Sequence, residues 1–236
     1  MRIINQKNKI NYNYRYERKF LIDYLSRIEI ENIVKLLPGM FGEIYHERFV
    51  NNIYFDTPDI NNYYDNINGS AKRKKVRIRW YGSLNGQVEK PILELKIKDG
   101  LVGRKIYFHS DAFDFNGIIS PNILIALIGN TNIPNEIKTE LSFLQPTLVN
   151  RYMRSYYQTK DGNFRITIDD ALSFFNPDSS MDYAKINNLD NNVILELKYL
   201  QNMDSLANQI SSKLPFRLTK SSKYVNGIDS IYNNNI

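Results

Sequence analysis

The sequence contains no cysteine, which excludes disulfides, thiolate metal sites and cysteine nucleophiles. Its two histidines, His46 and His109, are too few for an imidazole metal centre. Any metal is therefore a hard one held by carboxylate and phosphate oxygens: magnesium, manganese or calcium. No apolar run reaches transmembrane length, and Met1 to Tyr14 is polar and basic, without the apolar stretch of a secretory signal. A soluble, cytoplasmic protein is expected. Pro/Ser-rich linkers and blocks of like charge are also missing, so the 236 residues read as a flexible segment over 1–13 followed by one domain over 14–236. Acidic residues are the minority: 25 Asp and Glu against 31 Lys and Arg, a net charge of +6. That balance favours anionic partners.

What is present is mostly strand. Alternation predicts strands over 14–22, 49–55, 74–81, 91–98, 104–108, 147–158, 163–169 and 193–200. Helical spacing appears over 26–37, where Ser26 and Glu29 make a capping box before Pro38-Gly39, and again over 122–129, 134–144 and 203–214. The order is strand-rich with few helices, an α+β pattern with mostly antiparallel pairing.

The strands share an unusual feature. In Tyr16-Glu17-Arg18-Lys19-Phe20, Arg77-Ile78-Arg79-Trp80, Leu93-Glu94-Leu95-Lys96 and Leu195-Glu196-Leu197-Lys198, two charges stand two residues apart. Both then point to one face of the strand, with Ile or Leu on the other. A single such pair reads as a solvated strand face with cross-strand ion pairs. About six strands carry the arrangement: Arg15, Glu17 and Lys19; Arg77 and Arg79; Glu94, Lys96 and Lys98; Arg151 or Arg154; Arg165 with Asp169; Glu196 and Lys198. Because the alternate positions are apolar, the core must lie outside the charged face. The predicted fold is a closed antiparallel β-barrel with a charged interior and helices packed outside.

Crowded Arg and Lys with so few carboxylates repel one another when desolvated. A chain of phosphates relieves that repulsion, through the bidentate fork of Arg and the mobile point charge of Lys. One or two carboxylates suffice to hold a metal bridging phosphates, and Glu196 is the first candidate.

Eight motifs in order carry a resemblance: Tyr16 to Phe20, Ile53 to Pro58, Lys75 to Gly82, Leu93 to Lys96, Asn150 to Tyr157, Phe164 to Asp169, Leu195 to Lys198, and Ser222 to Tyr224. From about Tyr14 to Asn226 the chain resembles the VTC domain, the polyphosphate polymerase branch of the triphosphate tunnel metalloenzymes, also called CYTH-like proteins. The resemblance implies an eight-stranded tunnel and a transferase that moves the ATP γ-phosphate onto a growing inorganic polyphosphate chain, releasing ADP, with Mn2+ or Mg2+. It implies that Arg77, Arg79, Lys96, Arg154 and Arg165 act on the phosphates, that Glu196 holds the metal, and that Lys220, Ser222 and Lys223 make further phosphate contacts. Glu17, Lys19 and Lys198 belong to the same binding set, and Arg104 or Lys105 could add a cation. Locally, Lys220 and Lys223 read only as a basic loop.

One departure separates branches of that superfamily. Its triphosphatases and class IV cyclases carry Glu-x-Glu-x-Lys on the first strand, where this chain has Arg15-x-Glu17-x-Lys19. Exchanging a carboxylate for a cation shifts the site from metal-dominated hydrolysis towards holding a long polyanion. The alternatives are a tripolyphosphatase or nucleoside triphosphatase using the same tunnel, and a polyphosphate- or inositol-phosphate-binding module without turnover. Specific nucleic-acid binding is not expected, because the aromatics form no stacking platform. Any membrane coupling falls to a separate protein.

Overall fold

The computed structural model describes residues 15–100, 102–120, 122–129, 133–177 and 192–232. The lead-in expected to be flexible lies outside these residues. In chain order the elements are β1 (Arg15–Ile22), α1 (Arg27–Lys35), β2 (Gly42–Asp56), α2 (Asn61–Ile67), β3 (Lys72–Tyr81), β4 (Gly86–Val88), β5 (Ile92–Asp99), β6 (Val102–His109), β7 (Phe113–Phe115), α3 (Ile123–Gly129), α4 (Asn135–Leu141), β8 (Gln145–Gln158), β9 (Phe164–Phe175), β10 (Val193–Leu200), α5 (Asp204–Ser211) and α6 (Lys223–Tyr232). The capping box of α1 forms as its sequence requires, Ser26 accepting from the Glu29 N–H while Glu29 accepts from the Ser26 N–H.

Eight strands form one antiparallel sheet in the order β1-β10-β9-β8-β2-β3-β5-β6, and β4 pairs with β7 in a separate ribbon. Alternation sorts the sheet into two faces. The outer face is apolar in two patches. Val76, Ile78, Leu93, Leu95, Ile106 and Phe108 pack beneath Leu124, Leu127 and Ile128 of α3 and Leu141 of α4. Phe20, Ile166, Ile168, Leu195 and Leu197 pack beneath Ile30 and Val34 of α1 and Ala207 and Ile210 of α5. These two clusters therefore lie outside the charged face, as the alternation demanded.

Two expectations need correction. The barrel is not closed: among the described residues, the edge strands β1 and β6 share no backbone pairing. The free edge of β1 is already occupied, since Phe20 bridges to Leu218 and the Thr219 N–H donates to the Lys19 carbonyl at 2.8 Å. Nor do all helices pack outside. Tyr224, Ile228 and Ile231 of α6 pack with Val50, Tyr54, Leu148, Tyr152, Phe174 and Ile194. Tyr54 and Tyr152 share this face with the charged residues, because their hydroxyls accept hydrogen bonds from Arg77 and Arg79. Helix α6 thus covers the apolar part of the inner face, where each buried large side chain contributes about 1.5–3 kcal/mol. Gly227 permits the approach, since a Cβ there would stand 2.4 Å from Leu148 Cδ2.

The loop read as basic is in fact the start of this helix. Ser222 accepts the Val225 N–H at 3.3 Å, a capping bond that satisfies a first-turn donor. Asp56 fixes α6 further along, because Tyr224 donates to its Oδ2, and it also accepts the N–H groups of Asn62 and Tyr63 at the start of α2. The Ile53-to-Pro58 motif is therefore a structural anchor, with Asp56 at its centre.

Candidate functional site: a cation-rich inner face

Register places the charges in rows across the inner face. Glu17 lies opposite Lys198, which lies opposite Arg165. Lys19 lies opposite Glu196, and Lys75 opposite Lys96, itself opposite Lys105. The sheet curls enough for Lys96 of β5 to reach Glu17 of β1 at 3.4 Å and for Lys75 of β3 to donate to Ser222 Oγ at 2.8 Å. Side chains, rather than backbone pairing, bring the two halves of the sheet together.

Four carboxylates sit among these cations. Glu196 is buried on β10, with Lys19 at 3.1 Å, Lys198 at 2.5 Å, Arg154 at 3.6 Å and Lys223 at 4.0 Å. Burial would raise its carboxyl, but Lys19, Lys198, Lys223 and Arg154 together hold it well below the usual carboxylate range. Asp169, fully buried, pairs with Arg154 and with Lys223 at 2.5 Å. Glu94 pairs with Arg77 and with Arg79 at 3.4 Å. Glu17 is pushed up by burial and by the Glu196 charge, yet Lys19, Lys96 and Lys198 prevail and lower it to about 2.

The cations outnumber their partners. Arg165 has no ion pair among the described residues, and the nearest polar partner of Lys75 is a hydroxyl. Burial, then the charges of Lys96, Lys19, Arg77 and Arg73, depress Lys75 to about 7. Burial also depresses Lys105 to about 7; Glu94 opposes the shift, while Lys96, Arg77 and Lys198 reinforce it. A face so rich in buried cations carries electrostatic repulsion that an anion would release.

Of the residues expected from sequence, the inner face gathers Glu17, Lys19, Arg77, Arg79, Lys96, Arg154, Arg165, Glu196, Lys198 and Lys223, with Ser222 at its edge. Lys220 stands apart, exposed just before α6. The two open choices resolve by register. Arg151 lies on the outer side, its guanidinium 3.6 Å from the Phe49 ring centre, whereas Arg154 points inward. Lys105 faces Lys96 while Arg104 falls opposite Ile97 on the other face.

Sequence reasoning missed several polar partners. Asn52 accepts from Arg79 Nε at 3.0 Å and donates to Asn150 at 2.8 Å. Tyr54 and Tyr152 accept from Arg77 at 3.1 Å and Arg79 at 3.3 Å. The parity of these residues with Arg79 and Arg154 was the available signal. Among the described residues, no cluster of three carboxylate or imidazole groups stands ready to hold a metal by protein ligands alone. Glu196 and Glu17 supply the hard oxygen donors that magnesium or manganese prefers, so a cation here would draw its remaining ligands from phosphate and water.

The site thus sits on an antiparallel sheet with a charged inner face and an apolar, helix-covered outer face. The chain belongs to the VTC domain family, whose model matches residues 12–232. No curated protein matches it. Among solved structures, a Bacillus halodurans protein described as an adenylate cyclase candidate superposes with a TM-score of 0.51 at 11% identity, covering 96% of this chain and 100% of its own. A Vibrio parahaemolyticus protein with the same description gives 0.49 at 13% identity, covering 92% and 99%. The S. pombe Pct1 RNA triphosphatase gives 0.34 at 14%, covering 87% and 77%. The first of these likenesses shows a shared fold. In addition, no helix among the described residues is long and apolar enough to cross a membrane.

Proposed function

We propose that this chain is a metal-dependent polyphosphate polymerase that transfers the γ-phosphoryl group of ATP to the end of an inorganic polyphosphate chain. The observation that carries this reading is the surplus of inward cations over carboxylates on one curled sheet, in a chain of the VTC family. In the transfer, a terminal oxygen of the chain attacks the γ-phosphorus as the bond to the β–γ bridging oxygen breaks, and ADP leaves. No side-chain nucleophile is needed, so catalysis rests on positioning and on neutralising charge.

Arg77, Arg79 and Arg154 are held in fixed orientations by Glu94, Asn52 and Asp169, which suits them to orient phosphoryl oxygens. Arg165, Lys75 and Lys105 are less committed to carboxylates and would take up the chain. Lys19, Lys96, Lys198 and Lys223 would exchange carboxylate for phosphate. When bound, Mn2+ or Mg2+ would be held by Glu196, with Glu17 beside it, and would neutralise phosphate charge. Lys220, exposed, would meet only a chain extending beyond the cavity.

The second reading, a triphosphatase on the same face, is favoured by the shared tunnel fold alone. Product analysis separates them. Protein incubated with ATP and manganese should yield a ladder of long chains, lost in Glu196→Gln and Arg79→Ala. Orthophosphate without chains would establish the triphosphatase. Tight polyphosphate binding with no product would leave a binding module.

A further inference from the structure

Beyond the charged rows, the inner face ends in aromatic residues around one arginine. Strand β2 is irregular there, with register shifts between Glu43 and Tyr45 and between Tyr45 and Arg48. Such bulges re-aim side chains. As a result Tyr45 falls opposite Tyr156, and Arg48 opposite Arg154, although Tyr45 and Arg48 are three residues apart. Both therefore share the face of Arg154.

The Arg48 guanidinium lies 4.1 Å from the Tyr81 ring centre, 5.0 Å from Tyr156 and 5.4 Å from Tyr45. Its polar contact is with the Tyr156 hydroxyl at 3.4 Å, and it forms no ion pair among the described residues. Tyr45 remains 53% exposed and Tyr81 38% exposed. Arg48 is half-buried over the Tyr81 ring and Tyr45 stands edge-on to Tyr156 at 5.6 Å, which leaves the outer sides of Tyr45 and Tyr81 to solvent beside Arg154. Arg154 itself lies 6.0 Å from the Tyr156 ring centre.

We infer that this cluster is a nucleobase subsite, in which the purine of a nucleoside triphosphate stacks on Tyr45, Tyr81 and the Arg48 plane while its phosphates run inward to Arg154 and Arg79. The inference rests on the proposed phosphate-binding role of the inner face and specifies which end of the substrate lies where. Aromatic and guanidinium planes stack on any base, because every base has a π-face. Arg48 and Arg154 are cross-strand partners, so the stacking surface adjoins the first phosphate contact. The subsite would favour nucleotides over inorganic polyphosphate as the entering donor, with little choice among purines.

The test compares the non-transferable β,γ-imido analogue of ATP with inorganic tripolyphosphate by calorimetric titration, in wild type, Tyr45→Ala, Tyr81→Ala and Arg48→Met. Tyr45 and Tyr81 are exposed, so these variants should fold; Tyr45→Phe and Tyr81→Phe should retain wild-type binding. The expected result is a loss of about tenfold or more in imido-ATP affinity with tripolyphosphate affinity unchanged within about twofold. Equal weakening of both ligands, or no change in either, overturns the base subsite while leaving the phosphate site standing. Wild-type protein that binds neither ligand overturns both.

Discussion

Glu17 and Lys96 lie on β1 and β5, far apart in the order of the sheet, yet their side chains meet at 3.4 Å. The pair links the two halves of the charged face, where backbone pairing does not. Lys96 is nearly half exposed, which limits the energy of the contact. A double-mutant cycle with Glu17→Gln and Lys96→Met, read by thermal unfolding, should give a coupling of about 0.2–1 kcal/mol. A coupling of several kcal/mol would mean that this contact holds the sheet in its curl.

Asp169 is different, because it is fully buried and neutralises two buried cations, Arg154 and Lys223. Removing it leaves both charges to Glu196 alone, at 3.6 and 4.0 Å. Asp169→Ala should lose about 3–5 kcal/mol in urea unfolding, whereas a loss below about 1 kcal/mol would show that water or another carboxylate replaces it.

Lys75 and Lys105 predict a pH dependence with a definite sign. Each is depressed from 10.5 to about 7 in the folded protein, so between those values the unfolded chain binds more protons than the folded one. Stability of the free protein from these two groups therefore rises with pH from about 7 towards the ordinary lysine value. Phosphates beside them reverse the depression. At pH 8.5, binding of tripolyphosphate should take up protons, seen as titration heats that differ between buffers of unlike ionisation enthalpy. The uptake should shrink in Lys75→Met and Lys105→Met. Equal heats in all buffers would show that the phosphates do not reach these lysines.

Gly227 tests the seat of α6. Alanine is the better helix former by about 1 kcal/mol, but its Cβ would meet Leu148 and Phe174 Cδ1 at 2.4 and 2.7 Å. Overpacking typically costs about 1–3 kcal/mol, so Gly227→Ala should lower the urea midpoint. A raised midpoint would show that α6 is not pressed against the inner face.

The parts of the fold governed by local alternation could be read from the chain. Leu93, Leu95, Leu195 and Leu197 alternate with Glu94, Lys96, Glu196 and Lys198, which fixes both the strands and the side on which the core lies. The Ser26–Glu29 capping box is equally local. Helix α6 was not legible, because Lys220 to Lys223 looks like a solvated loop until Asp169 and Asp56 are present to receive Lys223 and Tyr224. The first half of β2 was lost for another reason. Its bulges break the period of two, so Tyr45 and Arg48 gave no sign of sharing a face. Closure of the sheet was expected from the inward charges and from the family resemblance, and occupation of the β1 edge by Leu218 and Thr219 lay beyond any periodic signal.

On the proposed function, the inner face holds a phosphate chain with a metal at Glu196. Crystals grown with tripolyphosphate and manganese, measured at the manganese absorption edge, test it most directly. The expected result is an anomalous peak beside Glu196 and phosphate density contacting Arg79, Arg154 and Arg165. Manganese bound elsewhere, or tripolyphosphate confined to the outer surface with the inner ion pairs intact, would contradict it.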